Sequence, residues 1–338
     1  MSDLPHIPGV LSADEAAATG EHLRSLQLDC GMIPWFPGGH CDPWNHVESA
    51  MALDVVGLHD AARRAYGWLA DIQRPDGSWH NYYRSDGSVE ETKLDTNVCA
   101  YLATGLYHHW RCSGDTEFIT HMWPVLSRAM SWVLDHRRHD GTILWAVEPD
   151  EQPWEYALLT GSSSIQHALR CGHRLGTALG DPQPDWVEAA DAICTVIRSD
   201  PDAFEPKTRW AMDWYYPVLT GALLGDEAAE RLESGWETFS MDGLGIRCVS
   251  DESWVTASET AECAIAHAGI GEIERATELL AWTRHHRLDD GSYLTGIVYP
   301  RRETFPAGEH SSYTAAAVLL AADAISGTSP AAEIFHHL

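Results

Sequence analysis

Hydrophobic and polar positions along the chain form a pattern that repeats six times. In each repeat, a turn rich in Trp, Asp, Glu and Ser runs directly into an apolar helix of mostly small residues. The turns lie at residues 44–50, 95–97, 162–166, 214–217, 258–262 and 311–314, and an amphipathic helical stretch fills each gap. A spacing of about 45 to 65 residues is typical of stacked helical hairpins. We therefore predict an all-α fold, an (α/α)6 toroid of six helical hairpins with minor strand content at one rim.

The amphipathic stretches carry helix start and stop signals that place them in the outer layer of such a ring. A capping-box pattern at residues 12–15 opens a helix to about Leu26. A second outer helix over residues 59–72 ends before a Pro-Asp-Gly turn at residues 75–77. Asp-Gly turns recur at 140–141, 242–243 and 290–291. No linker rich in Pro, Gly or Ser divides the chain, so we predict a single (α/α)6 barrel domain over residues 1–338.

Net charge narrows the range of partners. The chain has 22 Lys and Arg against 50 Asp and Glu, a formal charge of −28. Such a charge repels phosphate backbones and anionic lipid surfaces, which argues against nucleic acid and membrane partners. No run of apolar residues is long enough to span a bilayer. Charge does not indicate the oligomeric state.

Cysteine usage and the N-terminal sequence favour a cytoplasmic location. The eight cysteines are scattered, without a C-x-x-C pair, and several fall within apolar helical stretches, which suits a reduced compartment. The first residues show neither the basic nor the apolar region of a signal peptide. No spacing typical of a zinc or calcium site stands out among the 19 His and the carboxylates. We therefore predict neither a metal nor another cofactor.

Carboxylates and aromatic residues concentrate where the inner helices begin, which is the composition expected of a sugar-binding site. Indole faces stack on the apolar face of a pyranose, while carboxylates accept hydrogen bonds from its hydroxyls. Of the 15 Trp of the chain, Trp44 and Trp214 lie in these turns, and others, such as Trp154 and Trp254, shortly precede them. We predict an oligo- or polysaccharide substrate bound by Trp44, His46, Glu48, Asp95, Trp154, Asp213, Trp214, Trp254, Glu259 and Tyr313.

Three short stretches resemble glucoamylase-like glycoside hydrolases. Pro153-Trp154-Glu155-Tyr156 resembles their Trp-Glu segment, which implies that Glu155 is the general acid. The turn at residues 44–50 stands where that group has Trp-x-Arg-Asp-Ala, but this chain has His46 and a displaced Glu48. That departure leaves the sugar open.

The third stretch bears on the base. Glu303-Thr304-Phe305-Pro306, followed by residues 311–316, resembles the Glu-x-Tyr-x-Pro…Ser-Trp-Ser pattern of related (α/α)6 glycosidases, in which the Glu is the catalytic base. Glu303 is then the base, with Glu309, Asp42 and the pair Glu259 and Glu262 as competitors. Glu155 and Glu303 belong to the third and sixth repeats and face each other across the ring. A separation wide enough for a water molecule predicts inversion.

As a whole, the chain resembles small mycobacterial hydrolases that act on methylmannose polysaccharide. That resemblance implies an inverting endo-α-mannosidase acting on an α-1,4-linked (methyl)mannan.

Other functions remain open at this stage. Residues 73–79 resemble the Q-x-x-D-G-S-W repeat of squalene cyclases and prenyltransferases, although the Asp-x-Asp-Asp run required for cyclisation is missing near residues 287–290. His46 and His310 could serve a sugar epimerase, and Lys93 with several Arg could serve a uronate lyase. A ring that binds sugar without turnover is the non-enzymatic alternative.

Overall fold

A computed structural model describes residues 4–148 and 152–335. Within these residues the helices are α1 (Ala13–Leu26), α2 (Pro43–Val55), α3 (His59–Ile72), α4 (Thr96–Ala100), α5 (Leu102–Ser113), α6 (Thr116–Asp135), α7 (Leu159–Leu179), α8 (Pro184–Ser199), α9 (Ala211–Leu219), α10 (Gly225–Phe239), α11 (Ala257–Gly269), α12 (Ile273–Trp282) and α13 (Ser312–Ser326). Helices α4 and α5 meet at Tyr101 and occupy one position of the ring. None of these helices is both long and apolar enough to cross a membrane.

The inner helices close a ring around a common centre. Helix α2 packs on α5, α5 on α7, α7 on α9, α9 on α11, α11 on α13, and α13 back on α2. These helices are buried nearly all round, and their many Ala, Ser and Gly residues let neighbouring backbones approach closely. Helices α1, α3, α6, α8, α10 and α12 are amphipathic and cover the outside. The predicted (α/α)6 toroid is confirmed.

Short strands lie in the connections that lead from an outer helix to the next inner helix. In the described residues they are β1 (Tyr82–Tyr83), β2 (Val89–Glu91), β3 (Leu94–Asp95), β4 (Ala146–Val147), β5 (Ser240–Met241), β6 (Gly245–Arg247), β7 (Trp254–Thr256), β8 (Gly296–Val298) and β9 (Glu303–Thr304). Strand β1 pairs with β2 and β3 with β4, while β5 to β9 form an antiparallel sheet in sequence order. All the strands thus lie at the end of the ring where the inner helices begin, which we call the mouth.

The repeated Asp-Gly turns fix these connections to the outer layer. Asp76 Oδ1 accepts hydrogen bonds from the Ser78 backbone N–H (3.0 Å) and hydroxyl (2.7 Å). Asp140 with Thr142, and Asp290 with Ser292, repeat this geometry. The glycines of these three turns lie against the next outer helix, at Arg128, Ala192 and Ala18, so the same contact links three pairs of neighbouring hairpins. At Gly243 the Cβ position has no atom within 4 Å.

The same contact explains the Q-x-x-D-G-S-W resemblance as a structural feature. Gln73 Nε2 donates to the carbonyls of Gly77 and Val125, each at 2.9 Å, and so joins the turn to α6. The indole of Trp79 is buried and donates to the Leu69 carbonyl (2.8 Å). The motif therefore holds α3, its exit turn and α6 together.

Gly77 tests this contact, because it has φ +98° and a Cβ there would lie 2.5 Å from the backbone oxygen of Arg128. Gly77→Ala should lower the free energy of unfolding by about 2–4 kcal/mol, measured by urea denaturation. Gly87 is the matched control, since it has φ +83° but open space around its Cβ position. Gly87→Ala should cost only about 1 kcal/mol, from the backbone conformation. Equal losses for both variants would contradict the close contact.

Candidate active site

A cavity of about 420 Å³ opens at the mouth, and every inner position of the ring contributes to it. Among its lining residues are Trp44 and Glu48 from α2, Asn97 from α4, Thr160 from α7, Met212 from α9, Glu262 from α11 and Tyr313 from α13. Its walls are completed by Trp35, Asn81, Tyr82, Lys93 and Trp145 from the connections. We call it the central cavity.

Carboxylates dominate the lining of the central cavity. Its acidic residues are Asp42, Glu48, Asp95, Glu259 and Glu262, and its lining contains one cation, Lys93. The Lys93 ammonium lies 4.4 Å from the centroid of the Trp145 ring and 3.7 Å from Glu91. The ring face and the Glu91 carboxylate therefore partly compensate its positive charge. A site of this charge repels anionic ligands and suits a neutral, hydroxyl-rich one.

Two of the carboxylates are helix N-caps. Asp42 caps α2 by accepting from the Asn45 backbone N–H (3.0 Å), and it also accepts from Asn45 Nδ2 and Trp35 Nε1, each at 2.7 Å. Asp95 caps α4 by accepting from the backbone N–H groups of Asn97 (2.9 Å) and Val98 (3.2 Å), and it accepts from the Trp145 indole. The sequence needs these residues to start its inner helices, and the ring then brings them into the cavity.

Burial affects both caps. It raises the pKa of Asp42 above its usual value and raises the pKa of Asp95 to about 6, although the hydrogen bonds oppose the shift. The helix N-termini add partial positive charge that also favours the ionised forms.

Deeper in the ring, Glu48 and Glu262 form a buried pair of like charge. Each is the sixth residue of its helix, so both lie in the second turn. Besides burial, the charges of Glu48 and Glu259 raise the pKa of Glu262, and those of Asp42 and Glu259 raise the pKa of Glu48. Glu48 Oε1 accepts from Trp44 Nε1 (3.1 Å) and from the Tyr101 hydroxyl (3.3 Å), while Glu262 accepts from the Tyr215 hydroxyl. Burial is the largest cause of the shift. It raises the pKa of Glu48 to about 8 and that of Glu262 well above the ordinary range.

Stacked aromatic rings support the pair. Trp44 and Tyr101 are nearly parallel, at 4° with ring centroids 4.0 Å apart. At the opening, Trp35 lies edge-on to Tyr313 (4.9 Å). Rigid rings of this kind hold both the polar donors and the cavity walls in place.

Seven of the residues proposed from the sequence line the central cavity. They are Asp42, Trp44, Glu48, Asp95, Glu259, Glu262 and Tyr313. The other seven lie elsewhere.

The structure does not bring Glu155 and Glu303 to the central cavity. Glu155 is exposed and lines a second cavity of about 650 Å³ between the start of α9, α10 and residues 201–210. Glu303 lies on β9 with its side chain 65% exposed. The geometric argument for inversion across these two residues therefore does not apply to this structure.

Asp213 and Trp214 face away from the ring centre. Asp213 accepts from the Thr160 hydroxyl (2.8 Å), and this hydrogen bond lies between the two cavities. Trp214 donates to the Arg231 carbonyl (2.8 Å) and packs against Gly235 of α10, so it fills the space between helices.

His46 points out of the cavity because each residue of an α-helix turns by about 100°, which puts it on the other side from Glu48. It accepts from the Ile33 backbone N–H (3.1 Å) and donates to the Ala65 carbonyl (2.9 Å). Burial lowers its pKa to about 4, so it is a neutral core residue.

Trp154 and Trp254 lie at the mouth but beside the central cavity. Trp154 packs edge-on against Trp145, at 4.8 Å between centroids, and donates to Glu148. Trp254 lies on β7 and donates to the Phe305 carbonyl (3.0 Å).

Sequence reasoning missed several lining and supporting residues. Trp145 reaches Asp95 only because β4 pairs with β3. Tyr101 belongs to an apolar helical stretch and shows no signal of its own, whereas Tyr215 lies in the repeated turn at residues 214–217 but was not among the predicted site residues. Asn97 was visible within the repeated turn, and its side-chain oxygen has no hydrogen-bond partner in the structure.

Within residues 4–148 and 152–335, no group of three or more His, Cys, Asp and Glu is arranged to hold a metal ion. A wider depression of about 820 Å³ lies at the opposite end of the ring beside residues 271–278. Its lining has neither an aromatic residue nor a buried carboxylate, so the central cavity is the stronger candidate site.

Comparison with known proteins agrees with this geometry. No protein-family model matches the chain. It is 46% identical over 335 residues, 99% of this chain and 92% of the relative, to a Mycolicibacterium hassiacum protein named MMP endo-(1,4)-3-O-methyl-alpha-D-mannosidase. A solved glycosidase, in its wild-type form, has a TM-score of 0.74 at 13% identity and covers 94% of this chain and 97% of its own. Cellobiose 2-epimerase from Spirochaeta thermophila has a TM-score of 0.67 at 14% identity, covering 93% and 96%.

The two solved structures establish the fold alone, whereas the close relative establishes the class. The protein is a glycoside hydrolase built on the (α/α)6 toroid. It belongs to the family of the M. hassiacum mannosidase. The resemblance to mycobacterial hydrolases is thereby confirmed.

The Glu48–Glu262 pair predicts how stability depends on pH. Both groups bind protons more tightly in the folded protein than in the unfolded chain, where glutamate has a pKa near 4.5. Between pH 4.5 and about 8 the folded state therefore holds more protons, and the free energy of unfolding falls as pH rises. Glu48→Gln removes one charge and should flatten this fall by up to about 1.4 kcal/mol per pH unit, measured by urea denaturation.

The control for this measurement is Glu237→Gln, an exposed glutamate on α10. Its stability curve should run parallel to that of the wild type. If the Glu48→Gln curve also runs parallel to that of the wild type, the pKa of Glu48 is not raised in the folded protein.

Proposed function

We propose that the protein is an endo-acting, inverting hydrolase of a (1,4)-linked mannan that carries 3-O-methyl groups. The name of the M. hassiacum relative supports the linkage, the sugar and the endo mode. The charge of the central cavity, with five carboxylates and one lysine, supports a neutral sugar chain. The lining contains no histidine within the described residues, so nothing there favours the histidine chemistry of an epimerase.

The observation that carries the mechanism is the buried Glu48–Glu262 pair. Two carboxyl groups of like charge in a low-dielectric site cannot both ionise easily, so the pair keeps a proton near neutral pH. Two neighbouring carboxylates repel each member of the pair: Asp42 and Glu259 act on Glu48, and Glu48 and Glu259 act on Glu262. Glu48 accepts two hydrogen bonds that stabilise its ionised form, whereas Glu262 accepts one, from Tyr215. We therefore assign the proton, and the role of general acid, to Glu262.

The best candidate for the base is Asp42. Its three hydrogen bonds and its place at the N-terminus of α2 favour the carboxylate form. Glu48 follows it by six residues, about 9 Å along the helix axis. Asp42 and Glu262 line the same cavity, and inversion requires that their carboxyl groups lie roughly 6.5 to 9.5 Å apart. Asp95 is a weaker candidate because α4 lies farther round the ring from α11.

In this arrangement one water molecule is consumed per bond cleaved. Glu262 gives its proton to the glycosidic oxygen as the bond from that oxygen to the anomeric carbon breaks. Asp42 removes a proton from a water molecule whose oxygen attacks the same carbon from the opposite face. Asp42 ends protonated and Glu262 ionised, and exchange with solvent restores both.

The eight cysteines are free thiols, most of them buried. We propose a reducing, cytoplasmic compartment, which this pattern supports.

Glu262→Gln and Asp42→Asn test the two roles. Each should lower kcat on an O-methylated mannan oligosaccharide by about 10²- to 10⁴-fold, because one proton transfer is lost. A mannosyl substrate with a good leaving group needs little protonation, so Glu262→Gln should recover activity on it while Asp42→Asn should not.

Glu155→Gln and Glu303→Gln provide matched comparisons from outside the central cavity. Both should keep near wild-type rates. Loss of activity on the natural oligosaccharide in Glu155→Gln, with recovery on the good leaving group, would transfer the acid role to Glu155.

The stereochemistry is tested by proton NMR on the first minutes of turnover. An inverting enzyme releases the new reducing end in the opposite anomeric form, so an α-linked substrate should give β product before mutarotation. Initial release of the α anomer would show retention. Asp42 would then not be a general base, and a carboxylate closer to the acid would be the nucleophile.

A further inference from the structure

A groove lined by aromatic residues lies at the mouth beside the central cavity. Its volume is about 420 Å³, and its lining includes Trp210, Trp254, Phe305, Val249 and Val298. We call it the aromatic groove. Trp210 is 44% and Phe305 is 53% exposed, an unusual degree for rings of this size.

The rings of the aromatic groove are held in place by the surrounding backbone. Trp254 donates to the Phe305 carbonyl (3.0 Å) and meets the Phe305 ring edge-on, with centroids 5.2 Å apart. The absence of a side chain at Gly296 makes this possible, because a Cβ there would lie 2.1 Å from Trp254 Nε1. The groove is thus formed before any ligand arrives.

Trp210 is fixed on the other wall. Its backbone pairs with Val249 in a β-bridge, and the Arg209 guanidinium lies 5.3 Å from its ring centroid. Arg209 is itself paired with Asp251 at 2.9 Å, so its charge is balanced. The result is a largely apolar surface on a strongly acidic protein.

The residues of the aromatic groove are close in sequence to residues that line the central cavity. Trp210 is the N-cap residue of α9, and Met212, two residues later, lines the central cavity. Trp254 precedes Ser258 of the cavity wall by four residues. Among the residues that the structure describes, the two other large exposed hydrophobic ones, Leu224 and Ile273, lie at the opposite end, where α10 and α12 begin.

We propose that the aromatic groove binds an O-methylated hexose unit of the substrate chain, away from the bond being cleaved. This inference rests on the proposed function. The apolar rings of the groove complement the C–H face of the pyranose and its methyl ether. The carboxylate-rich central cavity would bind the methyl group less favourably. Each buried methyl group is worth roughly a fourfold gain in affinity, so the groove selects methylated chain over bare mannan.

Trp210→Ala and Phe305→Ala test the proposal, with Leu224→Ala as a control of similar exposure at the far end. Calorimetry would measure binding of an O-methylated (1,4)-mannan oligosaccharide and of its unmethylated counterpart of equal length. To slow cleavage, each change is made in the Glu262→Gln background. The groove variants should bind the methylated chain about tenfold more weakly and lose most of the preference for it. The control should stay within about twofold of its parent.

Turnover by the wild-type protein separates this inference from the proposed function. If it cleaves neither oligosaccharide, the proposed function fails, while the binding comparison still decides the role of the groove. The inference is overturned if Trp210→Ala binds the methylated chain as tightly as Leu224→Ala does. It is also overturned if the groove variants lose the same factor of affinity for the methylated and the unmethylated oligosaccharide. It is also overturned if the groove variants change the oligomeric state seen by light scattering, since a second copy would then be the occupant.

Discussion

The structure depends on placing two carboxyl groups of like charge at the centre of a closed ring. Glu48 and Glu262 come from helices that are not adjacent in the ring: α2 and α11 both pack on α13, and both side chains line the central cavity. Burying them is unfavourable unless one keeps its proton and both are hydrogen-bonded. Trp44, Tyr101 and Tyr215 supply those hydrogen bonds from within the inner layer. A buried pair of carboxyl groups with raised pKa values is the environment that the proposed general acid requires.

The ring separates the parts that give stability from the parts that give chemistry. Outer helices and Asp-Gly turns lock neighbouring hairpins together through backbone contacts such as that of Gly77 with Arg128. The inner helices then need only begin at the mouth, and their N-caps, Asp42 and Asp95, serve the helix and the cavity at once. Capping explains why acidic residues recur at these positions, and ring closure explains why they gather around one cavity.

The fold was predictable from the hairpin periodicity, because the turn, the apolar helix and the amphipathic helix of each repeat all have recognisable local sequence patterns. The N-terminal turn residues of α2, α4 and α11 were likewise predictable as cavity residues. Glu155 and Trp214 were not, since their orientation depends on how the connection after α6 and helix α9 pack, which no local pattern records. His46 shows the same limit at finer scale, since the rotation over two residues of the helix, about 200°, separates this core histidine from the cavity carboxylate Glu48. Trp145 became part of the site only through strand pairing.

The central claim is that the Glu48–Glu262 pair holds a proton at neutral pH. It is tested most directly by following the side-chain carboxyl carbons of 13C-labelled glutamate by NMR while the pH is raised. We expect one resonance, absent in Glu262→Gln, to keep the shift of a protonated carboxyl through pH 7 and to titrate only above it. If both resonances assigned to Glu48 and Glu262 already have the shift of a carboxylate at pH 6, the pair holds no proton and Glu262 is not the acid.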